Sequence, residues 1–189
     1  IQGYNGAGLS VRYCLNILPY LPLRSEEIRL AKWNEIDFER AVWTIPGKRN
    51  EHGGGMKMRQ EHTIPLSKQV VALLKELHDI RQMNGDGELC FPGPRSKSRP
   101  ITAEGLLAAL RDMGYTKEEM SIHGFRTIFS TLARENNCNP DHIEKQLAHK
   151  EPNAVVEAYD RSQYFEQRRV LMQAWADYLD ELRDTKLHD

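Results

Sequence analysis

The hydrophobic period changes along this chain, and that change constrains the fold more than any other feature. Between residues 36 and 66, short β-branched or alternating runs are separated by turn-forming residues. They predict three short antiparallel strands, at Ile36–Phe38, Val42–Ile45 and His62–Ile64. From Ser67 onward, apolar residues recur at helical spacing instead. We therefore expect an α+β fold that is predominantly α-helical, with one small antiparallel three-stranded sheet near residues 36–66.

Two helices are expected before the sheet. The first runs from Ser10 to about Tyr20 and is broken by Pro19, because proline cannot continue a helix interior. The second runs from Ser25 to Trp33, with Ser25 as its N-cap and glutamates in its first turn.

Capping residues mark the starts of the later helices. Ser67, Thr102 and Asn139 each precede a stretch with apolar periodicity, and Pro140 suits a first helical position. Residues 92–99 contain two prolines, a glycine and several basic residues, which predict a loop.

Two of these later helices have clear apolar faces. One follows His123, and its expected apolar face contains Phe125, Ile128, Phe129 and Leu132. The final helix is expected from about Tyr164 to Leu182. Its apolar side contains Tyr164, Leu171, Met172, Trp175, Leu179 and Leu182.

A length of 189 residues suits one domain with one core. Because the chain begins with Ile1 rather than methionine, we interpret it as an excised fragment. It contains no run of about 20 apolar residues, so we expect no membrane segment. Three scattered cysteines, Cys14, Cys90 and Cys138, indicate reduced and mostly buried thiols in a cytoplasmic protein.

The net charge of −1 is unusual for a DNA-binding domain, which is often strongly basic. Basic residues nevertheless cluster at two places in the chain, where they could form a local DNA-binding face. The clusters are Lys48, Arg49, Lys57 and Arg59, and then Arg95, Lys97 and Arg99. The alternative interpretation of each cluster is a solvated loop.

The segment His123-Gly124-Phe125-Arg126 is the strongest candidate for chemistry. A spacing of three brings His123 and Arg126 to neighbouring positions on a helix, while Phe125 faces the core. An imidazole and a fork-shaped guanidinium beside a helix N-terminus form a phosphate-binding arrangement. The alternative is a surface arginine near a capping histidine.

Other cationic residues extend this pattern in chain order. The chain contains Arg24, then Lys57, the His123-x-x-Arg126 pair, His149 and Tyr159. In this order they resemble the signature of tyrosine recombinases of the phage-integrase kind. The resemblance is to the catalytic domain of prophage and genomic-island integrases, including the satellite-phage branch. It spans about Leu23 to Leu182, with flanking matches at residues 33–37, 62–67 and 175–179.

The resemblance implies a role for each of these residues. Arg24 and Arg126 would bind the nonbridging oxygens of a DNA phosphate, and Glu27 would orient arginine side chains. His123 and His149 would donate or exchange protons around that phosphate. Lys57 would be the general acid at the leaving 5′ oxygen. Tyr159 would attack the phosphate and form a 3′-phosphotyrosine.

The choice of nucleophile has an alternative in the sequence. Tyr159 follows His149 by ten residues, whereas the spacing in many family members is nearer nine. Tyr164 stands five residues further on, but it falls on the apolar side of the final helix with Leu171 and Trp175. Spacing and the Ala158-Tyr159 context favour Tyr159.

The function that the resemblance implies is site-specific DNA recombination, which integrates and excises phage or prophage DNA without metal, cofactor or ATP. The partner would be double-stranded DNA at attachment sites in the bacterial cytoplasm, where the protein would associate with the nucleoid. Residues 1–189 would form one catalytic domain that lacks its N-terminal DNA-binding domain. It would be a monomer in isolation and part of a homotetramer on synapsed DNA.

Two other functions remain open from the sequence. The chain could be a DNA-binding fragment that has lost cleavage, or a type IB topoisomerase that uses similar chemistry. The seven histidines show no metal-ligand spacing, which favours catalysis by cationic side chains.

Overall fold

The computed structural model describes residues 6–49, 61–85, 87–148 and 164–186. The helices in these ranges are α1 (Leu9–Ile17), α2 (Ser25–Arg29), α3 (Lys68–Met83), α4 (Ala103–Asp112), α5 (Gly124–Glu135), α6 (Pro140–Gln146) and α7 (Phe165–Lys186). The strands are β1 (Ile36–Asp37), β2 (Val42–Ile45), β3 (His62–Pro65), β4 (Pro92–Gly93) and β5 (Ser96–Pro100). The fold is mostly helical, as the change of period predicts.

Strands β1, β2 and β3 form the expected antiparallel sheet, with β2 in the centre. Trp43 in β2 pairs with Ile36 on one side and with Ile64 on the other. The side chains of Trp43, Ile45 and Ile64 are fully buried. The β-branched runs therefore form strands because one face of the sheet covers the hydrophobic core.

Three of the predicted helix caps are confirmed by hydrogen bonds. The Ser67 hydroxyl accepts from the Val70 amide, and the Thr102 hydroxyl accepts from the Gly105 amide. The Asn139 side chain accepts from the Asp141 amide, and Pro140 is the first residue of α6. Local capping chemistry thus sets where these helices begin.

Helix α2 differs from its prediction at both ends. Ser25 is the first helical residue rather than the N-cap, and the helix ends at Arg29 instead of Trp33. A separate 3₁₀ turn covers Trp33–Glu35. The N-cap position belongs to Arg24, because the Glu27 carboxylate reaches back and accepts from its amide at 2.8 Å.

The predicted loop at residues 92–99 is instead a two-stranded hairpin of β4 and β5. Pro92 pairs with Pro100, and Gly93 pairs with Ser96. The two prolines lie at strand ends, where the missing amide hydrogen is tolerated. Proline content therefore misidentified a short strand pair as irregular chain.

The core joins the helices to one face of the sheet. Helix α1 packs against α3 and α4, and α7 packs against β3 and α6. The rings of Phe129 in α5 and Trp175 in α7 meet edge to face at 5.3 Å. Two residues expected on apolar faces are exposed instead, namely Ile128 at 41% and Leu182 at 43%.

All three cysteines lie in the described residues and are free thiols, with Cys14 and Cys90 buried and Cys138 partly buried. The expectation that these cysteines are mostly buried is confirmed. None of the helices within the described ranges has the length and apolar character required to cross a membrane.

Candidate active site

Arg24 and Glu27 form an ion pair at the start of α2. Arg24 Nη1 donates to Glu27 Oε1 at 2.7 Å, while Glu27 Oε2 accepts from the Arg24 amide. The Glu27 side chain is only 3% exposed, whereas that of Arg24 is 25% exposed. The Glu27 carboxylate thus accepts from both the backbone amide and the side chain of Arg24. Part of the Arg24 side chain remains at the surface.

Arg126 lies in α5, and its guanidinium is buried. Nη1 donates to the carbonyl oxygen of Pro22 at 2.7 Å, and Nη2 donates to that of Leu147 at 2.8 Å. Burial, with the nearby positive charge of Arg24, lowers the pKa of Arg126 to about 10. The negative charge of Glu27 opposes this shift. The Arg126 guanidinium stays protonated at neutral pH.

The two arginines meet at the end of α6. Arg24 Nη2 donates to the carbonyl oxygen of Ala148 at 3.3 Å, next to the Leu147 carbonyl that accepts from Arg126. Ala148 has a φ of 49°, so the backbone turns sharply there. The fold therefore brings together two guanidiniums that are far apart in sequence, immediately before His149.

A third donor binds the preceding carbonyl of the same helix end. His62 Nε2 lies 3.2 Å from the carbonyl oxygen of Gln146. Since a carbonyl only accepts, Nε2 must hold the ring hydrogen. Burial, the positive charge of Arg168 and smaller effects of Arg24 and Lys145 lower the pKa of His62 to about 3, so its ring is neutral at pH 7.

Arg168 in α7 also reaches the end of α6, through the Gln146 side chain. It is 4% exposed, and its Nη2 donates to the Thr63 carbonyl oxygen at 2.9 Å. Its Nη1 lies 3.4 Å from Oε1 of Gln146. The sequence held a signal for this residue, because Arg168 precedes Leu171, Met172 and Trp175 by three, four and seven positions. That spacing places an arginine on the buried face.

His123 occupies the N-cap position of α5, and its side chain is exposed. Its carbonyl oxygen accepts from the Arg126 amide at 3.0 Å. The structure therefore places the imidazole at the surface and the Arg126 guanidinium in the interior, within one turn of helix.

Four of the residues singled out in the sequence lie outside the described residues, and their roles stay predictions. They are Lys57, Arg59, His149 and Tyr159. The alternative nucleophile Tyr164 is described: it precedes α7 with a φ of 67°, and its ring lies 4.8 Å from that of His142. Tyr164 is partly buried and immediately precedes the helix, although it was expected to be part of the apolar side of that helix.

The first basic cluster divides between surface and interior. Lys48 is exposed, but the Arg49 side chain is 3% exposed. Both Nε and Nη2 of Arg49 donate to the Glu35 carboxylate at 2.7 Å, and Nη1 donates to the Glu27 carbonyl oxygen at 2.9 Å. These donors of Arg49 therefore stabilise the protein itself, although a surface position was expected.

The second basic cluster lies on the β4–β5 hairpin. Arg95, Lys97 and Arg99 are all exposed, and Lys97 Nζ also donates to the carbonyl oxygens of residues 84 and 85. The hairpin borders a cleft of about 460 Å³ that Arg81 and the start of α1 also line. This surface has the local positive charge that the net charge does not reveal.

Among the described ranges, no group of three or more His, Cys, Asp or Glu side chains is arranged to hold a metal ion. The donors gathered at the end of α6 are two arginines and a neutral histidine. The two guanidiniums can bind an anion and stabilise negative charge, whereas the single ring hydrogen of His62 is already donated to the Gln146 carbonyl oxygen.

Comparison with known proteins agrees with this fold. The chain matches the phage integrase family over residues 4–166. The integrase of a transposon, Tn1549, has a similar structure, with a TM-score of 0.62 over 80% of this chain and 54% of that chain, at 18% sequence identity. That structure was determined in complex with a circular intermediate DNA. The chain therefore belongs to the phage integrase family, and the resemblance to tyrosine recombinases is confirmed.

Curated relatives support the same family. The chain is 43% identical to an integrase of Enterobacteria phage P4, over 88% of this chain and 39% of that protein. It is 39% identical to the prophage integrase IntS of Escherichia coli K12, over 87% of this chain and 40% of that protein. The chain thus spans about two fifths of the length of these curated relatives.

Proposed function

We propose that this chain is the catalytic part of a tyrosine site-specific recombinase that integrates and excises phage or prophage DNA. Family membership and the integrase relatives support the reaction class. The single observation that carries the proposal is the approach of Arg24 and Arg126 to adjacent carbonyls at the end of α6.

The two arginines suit the charge that develops during phosphoryl transfer. Negative charge builds on the nonbridging oxygens of the phosphate as the tyrosine attacks. Guanidiniums present donors in a fixed plane and remain charged, so Arg24 and Arg126 can bind these oxygens. The Glu27 carboxylate holds Arg24 in place at 2.7 Å. His123, exposed on the neighbouring helix end, would add a proton donor.

The remaining steps are assigned to residues outside the described ranges. Tyr159 attacks the phosphorus and forms a 3′-phosphotyrosine, while Lys57 gives a proton to the leaving 5′ oxygen. His149 exchanges a proton near the same phosphate. The phosphotyrosine retains the energy of the phosphodiester, so a 5′ hydroxyl of a second strand reverses the reaction without ATP. The chemistry proposed here uses no metal ion.

The substrate in this proposal is double-stranded DNA that contains attachment sites. The exposed hairpin residues Arg95, Lys97 and Arg99, together with Lys48, would contact DNA phosphates. An upstream DNA-binding domain would supply further affinity, and four protomers would assemble on two synapsed duplexes. The isolated chain would be a monomer, and a tetramer that persists on dilution in sedimentation experiments would contradict this part.

Covalent trapping tests the function. The substrates are nicked duplexes with a randomised core. After cleavage, the short fragment between the cleaved phosphate and the nick, which has a free 5′ hydroxyl, dissociates and cannot rejoin. The tyrosine therefore stays attached to the DNA, and the cleaved sequence is recovered with the protein. We expect an adduct that disappears in Tyr159→Phe, persists in Tyr164→Phe and is insensitive to a chelator. Loss of the adduct only in Tyr164→Phe would make Tyr164 the nucleophile, and inhibition by the chelator would refute the metal-free reaction.

The same substrates separate this proposal from its alternatives. A recombinase transfers the cleaved strand to a second duplex, whereas a topoisomerase rejoins the original strand. A chain that binds DNA but forms no adduct would be a DNA-binding fragment without catalysis.

A further inference from the structure

Three side chains from distant parts of the chain meet at the end of α6. His62 in β3 donates to the Gln146 carbonyl oxygen, and Arg168 in α7 reaches both the Gln146 side chain and the Thr63 carbonyl oxygen. Gln146 and Arg168 are 2% and 4% exposed. We call His62, Gln146 and Arg168 the junction.

The position of the junction in the chain is its most informative property. His62 follows Lys57 by five residues, and Gln146 precedes His149 by three. Arg168 follows Tyr159 by nine residues. Each member of the junction is therefore within nine residues, in the sequence, of one predicted catalytic residue.

The junction is continuous with the arginine pair. The carbonyl oxygens of residues 146, 147 and 148 accept from His62, Arg126 and Arg24 in turn. The free carbonyls at a helix end need such donors. As a result, a shift of the end of α6 would change the positions of both guanidiniums as well as the start of the His149 segment.

The chemistry of the junction suits fixed geometry rather than proton transfer. His62 is neutral and directs its ring hydrogen to a backbone oxygen. Arg168 bridges β3 and α6 through two further hydrogen bonds. An apolar contact would fill the same space but would fix the relative orientation of β3, α6 and α7 less tightly, because hydrogen bonds have preferred angles.

We propose that His62 and Arg168 are positioning residues for the DNA cleavage reaction. They act through the end of α6, aligning the elements that lead to Lys57, His149 and Tyr159. This inference rests on the proposed function, since those three residues have catalytic roles only if the chain cleaves DNA.

The test compares His62→Leu with His62→Gln in this chain, using the nicked duplex recovered by covalent trapping. Glutamine places an amide nitrogen near the position of Nε2, whereas leucine has no donor. At saturating DNA we expect the cleavage rate of His62→Leu to fall about 10- to 100-fold, because small misplacements of reacting groups cost that much. His62→Gln should recover to within about threefold of the parent rate, and the Kd for DNA should change by less than about twofold in both.

Thr102→Ala is the control for stability. It removes the N-cap of α4, far from the junction in sequence, and should lower the unfolding temperature while leaving the cleavage rate unchanged. If His62→Leu does not fold, His62→Asn replaces it, because asparagine is a shorter amide that cannot span the same distance. Arg168→Lys should likewise slow cleavage without weakening DNA binding.

The outcomes separate the two proposals. An inactive parent chain would refute the proposed function. An active parent with His62→Leu or, where needed, His62→Asn cleaving at the same rate would refute only the positioning role. Equal loss in His62→Gln and in the variant compared with it, His62→Leu or His62→Asn, would also overturn it, because the defect would then follow loss of the imidazole ring itself. Slower cleavage in Thr102→Ala would overturn it as well, because the defect would then follow stability.

Discussion

Arg126 is a structural residue to which the proposed function also gives a role in catalysis. The residue is 3% exposed, and its guanidinium donates to the carbonyl oxygens of Pro22 and Leu147. These acceptors precede α2 and follow α6, so the side chain joins two segments that are far apart in the sequence. In the proposed reaction, the donors that stabilise the fold would also bind the phosphate.

We expect Arg126→Lys to lower both stability and activity. A single ammonium cannot reproduce the forked contacts to Pro22 and Leu147, and a buried acceptor left without its donor costs about 1–3 kcal/mol. Cleavage should fall by about 100-fold or more, as for loss of a donor to a transition-state oxygen. Urea unfolding and covalent trapping measure the two effects.

Arg134→Lys is the matched control on the same helix. Arg134 forms an ion pair with Glu144, and its side chain is 43% exposed. The substitution should change stability by less than about 1 kcal/mol and leave cleavage unchanged. Equal effects of the two substitutions would contradict the special role of Arg126.

His62 predicts a pH dependence of stability. Its pKa is lowered from 6.5 to about 3 in the folded chain, so only the unfolded state binds this proton as the pH falls below 6.5. The stabilising contribution is therefore complete above about pH 6.5 and is lost between about pH 6.5 and pH 3. His62→Gln should reduce the decline of the unfolding free energy in this window. An unchanged pH profile in urea titrations would contradict this.

At the scale of single residues, the sequence singled out some of the residues at the end of α6 but did not predict their contacts. Arg24, Glu27 and Arg126 were singled out, and the structure brings them together at the end of α6. The contacts of His62 and Arg168 at the end of α6 were missed, because their hydrogen bonds join positions 22 to 105 residues apart. Local periodicity does not contain that distance information.

At the scale of elements, Glu35 links the sheet to α2. Its carboxylate accepts two hydrogen bonds from Arg49 and one from the indole nitrogen of Trp43. Arg49 in turn donates to the Glu27 carbonyl oxygen in α2. The chain that leaves β2 is thereby attached to the helix that presents Arg24.

Removing either Arg49 or Glu35 from their ion pair should be strongly destabilising. Both side chains are nearly inaccessible, at 3% for Arg49 and 6% for Glu35, so Arg49→Met leaves a buried carboxylate without its partner. The expected cost in urea unfolding is about 3–5 kcal/mol. The double variant Arg49→Met with Glu35→Gln should recover part of that loss, and strict additivity of the two substitutions would contradict direct coupling.

The exposed pair of Lys32 and Glu88 provides the comparison. Glu88 is 79% exposed at its side chain, so Glu88→Gln should leave the unfolding curve unchanged. A similar loss at both pairs would mean that burial does not determine the effect.

The elements themselves were largely predictable where capping and period agree. Ser67, Thr102 and Asn139 begin helices as expected, since their side chains accept from amides two or three residues ahead. The short length of α2 was not predictable from local sequence, because the Arg49 side chain, more than 20 residues away, binds the carbonyl oxygens of Glu26 and Glu27 within it. The β4–β5 hairpin was hidden for a related reason: its prolines resemble those of a loop.

For the whole molecule, charge distribution matters more than net charge. The chain has 26 basic and 27 acidic residues, yet three exposed basic side chains share one hairpin. DNA binding by such a surface releases counterions, and the affinity then falls with salt in proportion to the phosphates contacted.

Neutralising this hairpin should weaken DNA binding and its salt dependence together. For Arg95→Gln, Lys97→Gln and Arg99→Gln combined, the slope of log K against log salt should become smaller by about 2–3. The control neutralises three exposed lysines elsewhere, Lys68, Lys75 and Lys117, with the same change of net charge. Equal slopes for the two triple variants would indicate that total charge, not the hairpin, governs binding.

The hydrogen bonds at the end of α6 also have a consequence for conformational entropy. An arginine side chain that becomes ordered loses about 2 kcal/mol of rotamer freedom. Arg24 and Arg126 already have defined acceptors in the folded chain, at Ala148 and at Leu147 with Pro22. A phosphate that enters this site would exchange one oxygen acceptor for another, so the ordering of these two side chains belongs to folding rather than to DNA binding.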